Sequence, residues 1–283
     1  MQIAIITKLI NNTKFKIDKG DHLLDTHTHI LWNIDDGSKN QCMSLQMLEI
    51  AARSGTKAIF ATPHVIERAN KPSWEEIKEK TQQLRQLCAE AQIDIMLYPG
   101  AEVQMNWELL PELGATGAYC LNGGRYLLIE LPAAEIPAYA DEFWYELELK
   151  GITPILAHPE RYQQLRENPD LLLLWRRRGM LMQCNSGSFT GMFGSSVCEN
   201  AKVLLANGLV DLLGSDGHRS EGRNTDMSRA AAVIRQLAGE EVLRQMTETN
   251  PQAILKNQEI ELKQPKVLLE DKPKSFWQKL FGK

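Results

Sequence analysis

Cysteine is sparse and shows no pairing pattern. Cys42, Cys88, Cys120, Cys184 and Cys198 are an odd number, widely spaced over 283 residues, with no C-x-x-C. That excludes a disulfide scaffold and predicts reduced thiols in a cytoplasmic protein, several of them serving as small core residues. No stretch approaches the ~18–20 uninterrupted apolar residues of a membrane span. The opening MQIAIITKLINNTKFK has neither the long apolar run nor the small-residue cleavage site of a secretory signal. Positive charge is not in excess either. Against 32 basic side chains stand 36 acidic ones, a formal charge of −4, so nucleic acid is not an expected partner. Familiar phosphate-handling signatures are missing too. The loop C-x5-R fails, because Arg125 follows Cys120 one residue too early and no other cysteine has an arginine at that distance. G-x-x-x-x-G-K-[ST] and G-x-S-x-G are absent.

What is present is a globular α/β pattern. Hydrophobic residues make up 43% and charged residues 24%, which excludes disorder and collagen-like repeats. The length fits one large α/β domain or two small ones. Seven short apolar runs recur, at residues 22–25, 57–61, 94–98, 126–129, 153–157, 180–183 and 210–213. Helical stripes fill most of the gaps: Met43, Met47, Ile50 and Ala51; Trp74, Ile77, Leu84, Leu87 and Ala91; Ala140, Phe143, Trp144 and Leu147; Val197, Ala201, Leu204 and Leu205; Ala231, Ile234 and Leu237. Ser73 and Glu76 form a capping box, Asn168-Pro169 reads as N-cap and N1, and Asn250-Pro251 starts a last short helix. Strand–helix alternation implies βα units and a parallel sheet, and seven units favour a closed or nearly closed barrel over an open sheet. Residues 115–131, with Asn122-Gly123-Gly124, predict a hairpin insertion. The expected division is an N-terminal extension at 1–20, the domain at 21–257 and a basic amphipathic tail at 258–283.

The polar residues then fall in a pattern. His27 and His29 follow the first run, His64 the second and Glu102 the third; Glu130 ends the fourth, His158 follows the fifth, and Asp216 and His218 follow the seventh. The sixth ends in Asn185 and Ser186. Strand C-termini are where barrel and doubly wound enzymes assemble their sites. The chain has only six histidines, and all but His22 occupy such positions. Imidazoles and carboxylates together suit borderline and hard divalent metals. His27-Thr28-His29 in an extended strand puts both imidazoles on one side. An acid ending a core strand, as at Glu102 and Glu130, is costly unless paired or metal-bound. Asp35-Asp36 before Gly37 reads equally well as an exposed turn or as a ligand source.

The motifs D-T-H-T-H, I-D-D-G, T-P-H, G-A-E, L-I-E, L-A-H-P-E-R-Y and S-D-G-H, in that order, resemble the polymerase-and-histidinol-phosphatase (PHP) superfamily. H-T-H-I-L-x-x-I-D-D-G with A-H-P-E-R-Y is similar to the bacterial metal-dependent protein-tyrosine phosphatases of capsule and exopolysaccharide biosynthesis, the CpsB/YwqE type, over about residues 22–256. The resemblance implies a distorted, TIM-barrel-like (βα)7 barrel of the PHP fold. It implies three divalent metal ions at the strand C-termini, manganese first, with iron or zinc as alternatives. His27, His29, Glu102 and Asp216 would hold one ion; Asp36, His64 and His218 a second; Glu102, Glu130 and His158 a third. Asp36 is the weakest of these assignments, because Asp35 is adjacent. Arg161 and Arg223 would bind the phosphate. The implied substrate is a phosphotyrosine segment of a bacterial tyrosine kinase, with phosphate as product and inhibitor. The ends depart from the family pattern.

The chemistry agrees with this. Clustered divalent ions supply hydroxide near neutral pH, and two guanidinium groups neutralise phosphoryl charge as it builds. Rival readings are another PHP phosphoesterase, such as a histidinol-phosphate phosphatase, and a non-catalytic metal-stabilised docking subunit. In the tail, Lys272, Lys274, Lys279 and Lys283 beside Phe276, Trp277, Leu280 and Phe281 fit either a packed or loose end, or a weak contact with the inner membrane surface.

Overall fold

In the computed structural model of the chain the structure describes residues 22–113, 117–262 and 265. The expected N-terminal extension and nearly all of the expected tail lie outside them. Nine strand segments are described: β1 (Leu23–Thr28), β2 (Thr56–Ala61), β3 (His64–Val65), β4 (Met96–Pro99), β5 (Glu102–Gln104), β6 (Tyr126–Glu130), β7 (Thr153–Ala157), β8 (Leu181–Asn185) and β9 (Leu212–Gly214). Every ladder between them is parallel. They form a three-stranded sheet, β1-β2-β4, and a six-stranded sheet, β3-β5-β6-β7-β8-β9. A parallel bridge from Thr28 to Gly217 joins the first strand to the segment after the last.

The breaks have local causes. Pro63, between β2 and β3, has no N–H to give to a ladder. Gly100 separates β4 from β5, and a Cβ there would stand 2.6 Å from Leu121 Cδ2. The backbone nevertheless stays in step, since Gly100 N donates to Ala61 O (3.0 Å) and Glu102 N to Pro63 O (3.0 Å).

Helices cover the outer face: α1 (Gln41–Arg53), α2 (Trp74–Glu90), α3 (Ala140–Leu149), α4 (Gln163–Glu167), α5 (Asp170–Arg177), α6 (Ser186–Phe189), α7 (Ser195–Ala206), α8 (Ser228–Ala238), α9 (Glu240–Arg244) and α10 (Asn250–Leu255). Asn40 caps α1 by accepting from Met43 N, and Ser73 caps α2 by accepting from Glu76 N. In α2 the buried face is Ile77, Thr81, Leu84 and Cys88; Ile77 and Leu84 are expected there, whereas Leu87 is half-buried and Ala91 is exposed past the helix end. Between α4 and α5 the chain differs by one step from expectation, with Pro169 itself at the N-cap position of α5.

Strand alternation divides the apolar residues into two clusters. Ile59, Leu127, Ile129, Leu156, Met182 and Leu213 face the helices. Phe60, Tyr126, Leu128, Ile155, Leu181 and Leu212 face the other way, where Ile254 of α10 joins them.

Two expectations are corrected. The segment before β6 is no hairpin: it is a 3₁₀ turn at Leu121–Gly123 in which Asn122 takes a left-handed backbone (φ 54°). Residues 114–116 lie outside the described ones. β1 also runs further than residues 22–25, so His27 lies within the strand. Cys88, Cys120 and Cys184 are buried core thiols, whereas Cys42 is exposed.

Candidate metal centre

The C-terminal ends of the strands bring all nine expected ligand residues and both expected arginines to one place. β1 delivers His27 and, one residue past its end, His29; their Nε2 atoms lie 3.1 Å apart, so the alternation argument holds. β3 begins with His64 and β5 with Glu102, which stand opposite each other in register. Glu130 ends β6, His158 follows β7, and Asp216 and His218 follow β9.

Glu102 is the centre of the group. Its Oε2 is 3.1 Å from His27 Nε2, 3.2 Å from His29 Nε2 and 3.1 Å from His64 Nδ1, and its Oε1 is 2.8 Å from His158 Nε2. Asp216 Oδ1 lies 3.5 Å and 3.3 Å from the same two Nε2 atoms. Glu130 Oε1 is 3.3 Å from His64 Nδ1. Asp36 Oδ1 is 3.3 Å from His218 Nε2 and 3.7 Å from His64 Nε2. Three sets with metal-binding spacing result: His27, His29 and Asp216; His29, Asp36, His64 and His218; and His64, Glu102 and Glu130.

The protons on the rings follow from what each other nitrogen touches. His27 Nδ1 meets Gln183 Oε1 (2.9 Å), His29 Nδ1 meets Asp35 Oδ2 (2.7 Å), and His218 Nδ1 meets the carbonyl of Asp216 (3.0 Å). Each partner only accepts, so Nδ1 carries a proton and Nε2 is the nitrogen left facing the cluster. Gln183 is itself oriented, since its Nε2 donates to Cys184 O (2.7 Å) and Asn185 Oδ1 (3.0 Å).

A cation fits this arrangement. Glu102 Oε2 and Asp216 Oδ1 are buried without a hydrogen-bond donor, and both face the Nε2 atoms of His27 and His29. Orphaned acceptors this close cost free energy unless a positive charge sits among them. Burial would push Glu102 and Asp216 up, yet the facing His27 draws both carboxyls well below the usual range. Burial and nearby His29 bring His218 down to about 4, the neutral form a metal requires.

The acidic pair divides its work. Asp35 Oδ2 holds His29 and accepts from His64 N (3.0 Å), while Asp36 alone reaches the imidazole set. Gly37 makes this possible: a Cβ there would stand 2.2 Å from the carbonyl oxygen of His29. His158 (φ 37°) and Asp216 (φ 52°) sit in left-handed backbone, strain of the kind that collects at functional sites.

Opposite the imidazoles, Asp216 Oδ2 accepts from Arg161 (3.1 Å), from Arg223 and from Asn185 Nδ2 (2.6 Å). A cavity of about 670 Å³ opens onto His158, Arg161 and Arg223, walled by Leu131, Pro132 and Gln164. Sequence reasoning passed over Gln183 and Glu160. Glu160 is buried and accepts from Asn185 N (2.9 Å) and Ser188 Oγ (2.6 Å), fixing the start of α6. Its place in H-P-E-R-Y was the only signal.

Comparison with known proteins agrees. The family model for capsular polysaccharide synthesis proteins, CpsB/CapC, matches residues 23–256. The tyrosine-protein phosphatase YwqE of Bacillus subtilis is 34% identical over 238 residues, 84% of this chain and 93% of that protein. The tyrosine-protein phosphatase CpsB of Streptococcus pneumoniae is 28% identical over 83% of this chain and 99% of its own length. A crystal structure of these metal-dependent tyrosine phosphatases, YwqE and CpsB, superimposes with a TM-score of 0.80 at 32% identity, over 87% of this chain and 99% of that one. The histidinol phosphate phosphatase of Lactococcus lactis shares the fold, with a TM-score of 0.50 at 16% identity over 77% of this chain and 94% of that one. The chain belongs to the CpsB/CapC family.

Proposed function

We propose that this protein is a metal-dependent protein-tyrosine phosphatase acting in capsular or exopolysaccharide synthesis. The observation that carries the reading is Asp216, which turns one oxygen to the imidazole–carboxylate set and the other to two arginines. A purely structural metal needs no such phosphate clamp. His27, His29, Glu102 and Asp216 are assigned to a first divalent ion, Asp36, His64 and His218 to a second, and Glu102, Glu130 and His158 to a third. Manganese is the first choice for all three. The geometry adds His29 to the second set, through its approach to Asp36 and His64.

Bound there, divalent ions would supply a water nucleophile at neutral pH and Lewis acidity toward the phosphoryl oxygens. The chain does the rest. Asp35 and Gln183 hold two rings in the liganding tautomer, and Arg161 and Arg223 receive the charge that grows on the phosphoryl group. The planar guanidinium suits this because it pairs two oxygens at once. A phenolate leaves without strong acid help, so no general acid is assigned. We read β2–β3 and β4–β5 as two interrupted strands, which gives seven units and a distorted (βα)7 barrel. The Thr28–Gly217 bridge supports closure. The second of these interrupted strands, β4–β5, is followed by 3₁₀ turns where a helix would stand.

The substrate is assigned as a phosphotyrosine segment of a tyrosine kinase, with phosphate as product and inhibitor. No helix among the described residues is long and apolar enough to cross a membrane. We place the enzyme in the cytoplasm, in weak contact with the inner membrane surface through the basic tail. Sedimentation with anionic vesicles at low salt, lost on truncation at Asp271, tests that contact.

The main experiment is hydrolysis of a phosphotyrosyl peptide, with histidinol phosphate as the competing substrate. EDTA should abolish the activity and Mn²⁺ should restore it. Iodoacetamide should leave it intact, since burial pushes the Cys88 thiol to about 11 and the Cys120 thiol to about 12. Inactivation by alkylation with metal retained would overturn the reading.

A further inference from the structure

The loop between α6 and α7 brings an aromatic ring to the two arginines. Arg161 Cζ lies 4.7 Å, and Arg223 Cζ 5.6 Å, from the centroid of half-buried Phe193. These arginines come from different strand ends, after β7 and after β9, and the ring comes from a third, after β8. The loop is shaped for this. Gly191 (φ 83°) and Gly194 (φ 93°) flank Met192-Phe193 in backbone that side-chain-bearing residues rarely adopt. Gly187 in α6 leaves room for the ring, since a Cβ there would stand 3.1 Å from Phe193 Cε2 and 2.9 Å from Met192 Sδ.

We propose that Phe193 is a positioning residue of the phosphate clamp, a reading that rests on the phosphatase assignment. Two like-charged guanidinium groups repel each other, and here they share one carboxylate oxygen, Asp216 Oδ2. An incoming phosphoryl group competes with that oxygen for their N–H donors. A second attachment that phosphate does not displace then keeps both forks aimed at the cavity. The negative face of an aromatic ring supplies one without offering an acceptor that would compete with phosphate. Side-chain entropy makes the same point. Two long, partly exposed arginines lose less freedom on binding when a ring already restricts them.

The test uses the full-length, metal-loaded protein and the variants Phe193→Leu, Phe193→Tyr and Gly187→Ala. The first readout is binding of inorganic phosphate by calorimetry. The second is kcat and KM on a phosphotyrosyl peptide and on an alkyl phosphate, β-glycerophosphate, with metal content measured alongside. Phe193→Leu should weaken phosphate binding and lower kcat/KM by roughly tenfold on both substrates, with metal content unchanged. Phe193→Tyr, which keeps the ring face, should recover most of the loss. Gly187→Ala, which intrudes on the ring edge, should weaken phosphate binding in the same direction.

Three results overturn the proposal. One is wild-type phosphate affinity in Phe193→Leu or, if that variant does not fold, in Gly187→Ala. Another is a loss confined to the phosphotyrosyl peptide, which would set the ring against the substrate instead of the arginines. The third is a Phe193→Tyr defect as deep as that of Phe193→Leu, which would reduce the ring to packing. A wild-type enzyme inactive on the phosphotyrosyl peptide, with phosphate binding still dependent on Phe193, sinks the substrate reading and leaves the clamp standing.

Discussion

The concave side of the sheet carries two layers that differ in almost everything except the strands they hang on. Toward the strand starts, Tyr126, Leu128, Ile155, Leu181 and Leu212 pack with Ile254 into an apolar floor. One pleat further along the same strands, Leu128 gives way to Glu130, and Leu181 to Gln183 and then Asn185. Leu128 and Gln183 are equally buried, so burial alone does not say what a residue is for. The floor is stable piece by piece, because each methylene gains from leaving water. The upper layer is stable only as a set, because each imidazole or carboxylate is tolerable through its neighbours and a cation.

This contrast is open to attack from both sides. Arg161→Ala and Arg223→Ala should each cost ~10²–10³-fold in turnover of a phosphotyrosyl peptide, the usual cost of losing a transition-state clamp. Metal content and urea midpoint should stay near wild type. Rates equal to wild type would remove the phosphate assignment. Leu128→Ala should do the opposite, lowering stability by about 2–5 kcal/mol in urea unfolding while the folded fraction keeps its metal. Glu130→Gln, two residues along, should lose metal by elemental analysis with a far smaller change in the urea midpoint of the metal-free protein. A Glu130→Gln midpoint as low as that of Leu128→Ala would erase the distinction between the layers.

Smaller effects should come from residues that only touch the ligands. Asp35→Asn should weaken metal binding by roughly 10–100-fold, read by competition with a chelator, because the His29 ring loses its charged holder. A wild-type affinity would mean that His29 needs no such partner. The smallest effect is in pH. In His27, His29 and His64 burial opposes the charged form, but facing carboxylates win and raise all three from the ordinary value of 6.5. Their contribution to the metal-free protein is therefore complete below that value and fades as pH rises through the raised ones. Metal must displace those protons, so its affinity runs the other way. The rise in Tm on adding Mn²⁺ should be larger at pH 8 than at pH 6, by calorimetry. An equal rise at both would show that no proton is exchanged.

The residues that gather at the candidate site were legible because the chain spends nearly all its histidines in one kind of place, just after an apolar run. The helix faces were legible in part for a similar reason, since Ile77 and Leu84 need only periodicity, though the face continues through Cys88 and not through the expected Leu87 and Ala91. Other features were not. The choice between Asp35 and Asp36 is invisible in composition, because adjacent aspartates are chemically equal. In the fold they differ: Asp36 lies within metal-binding spacing of His29, His64 and His218, whereas Asp35 meets His29 on its far nitrogen. The short segments β3 and β5 were missed because a single Pro63 or Gly100 does not reveal whether a ladder resumes beyond it. The false hairpin came from reading Asn122-Gly123-Gly124 as a two-strand turn, when the left-handed residue serves a 3₁₀ turn instead. Phe193 and Gln183 escaped for a deeper reason: each matters through residues far away in sequence.

Asp216 has a thermodynamic consequence. Its Oδ1 faces the imidazoles and its Oδ2 faces two guanidinium groups and an amide. Whatever draws electron density toward one oxygen alters the grip of the other. Linkage makes such influence mutual: a ligand on the arginine side that changes affinity on the imidazole side must itself be changed by the same factor. Under the proposed assignment, phosphate affinity and metal affinity are then coupled through one carboxylate, and a change in that coupling shows in both.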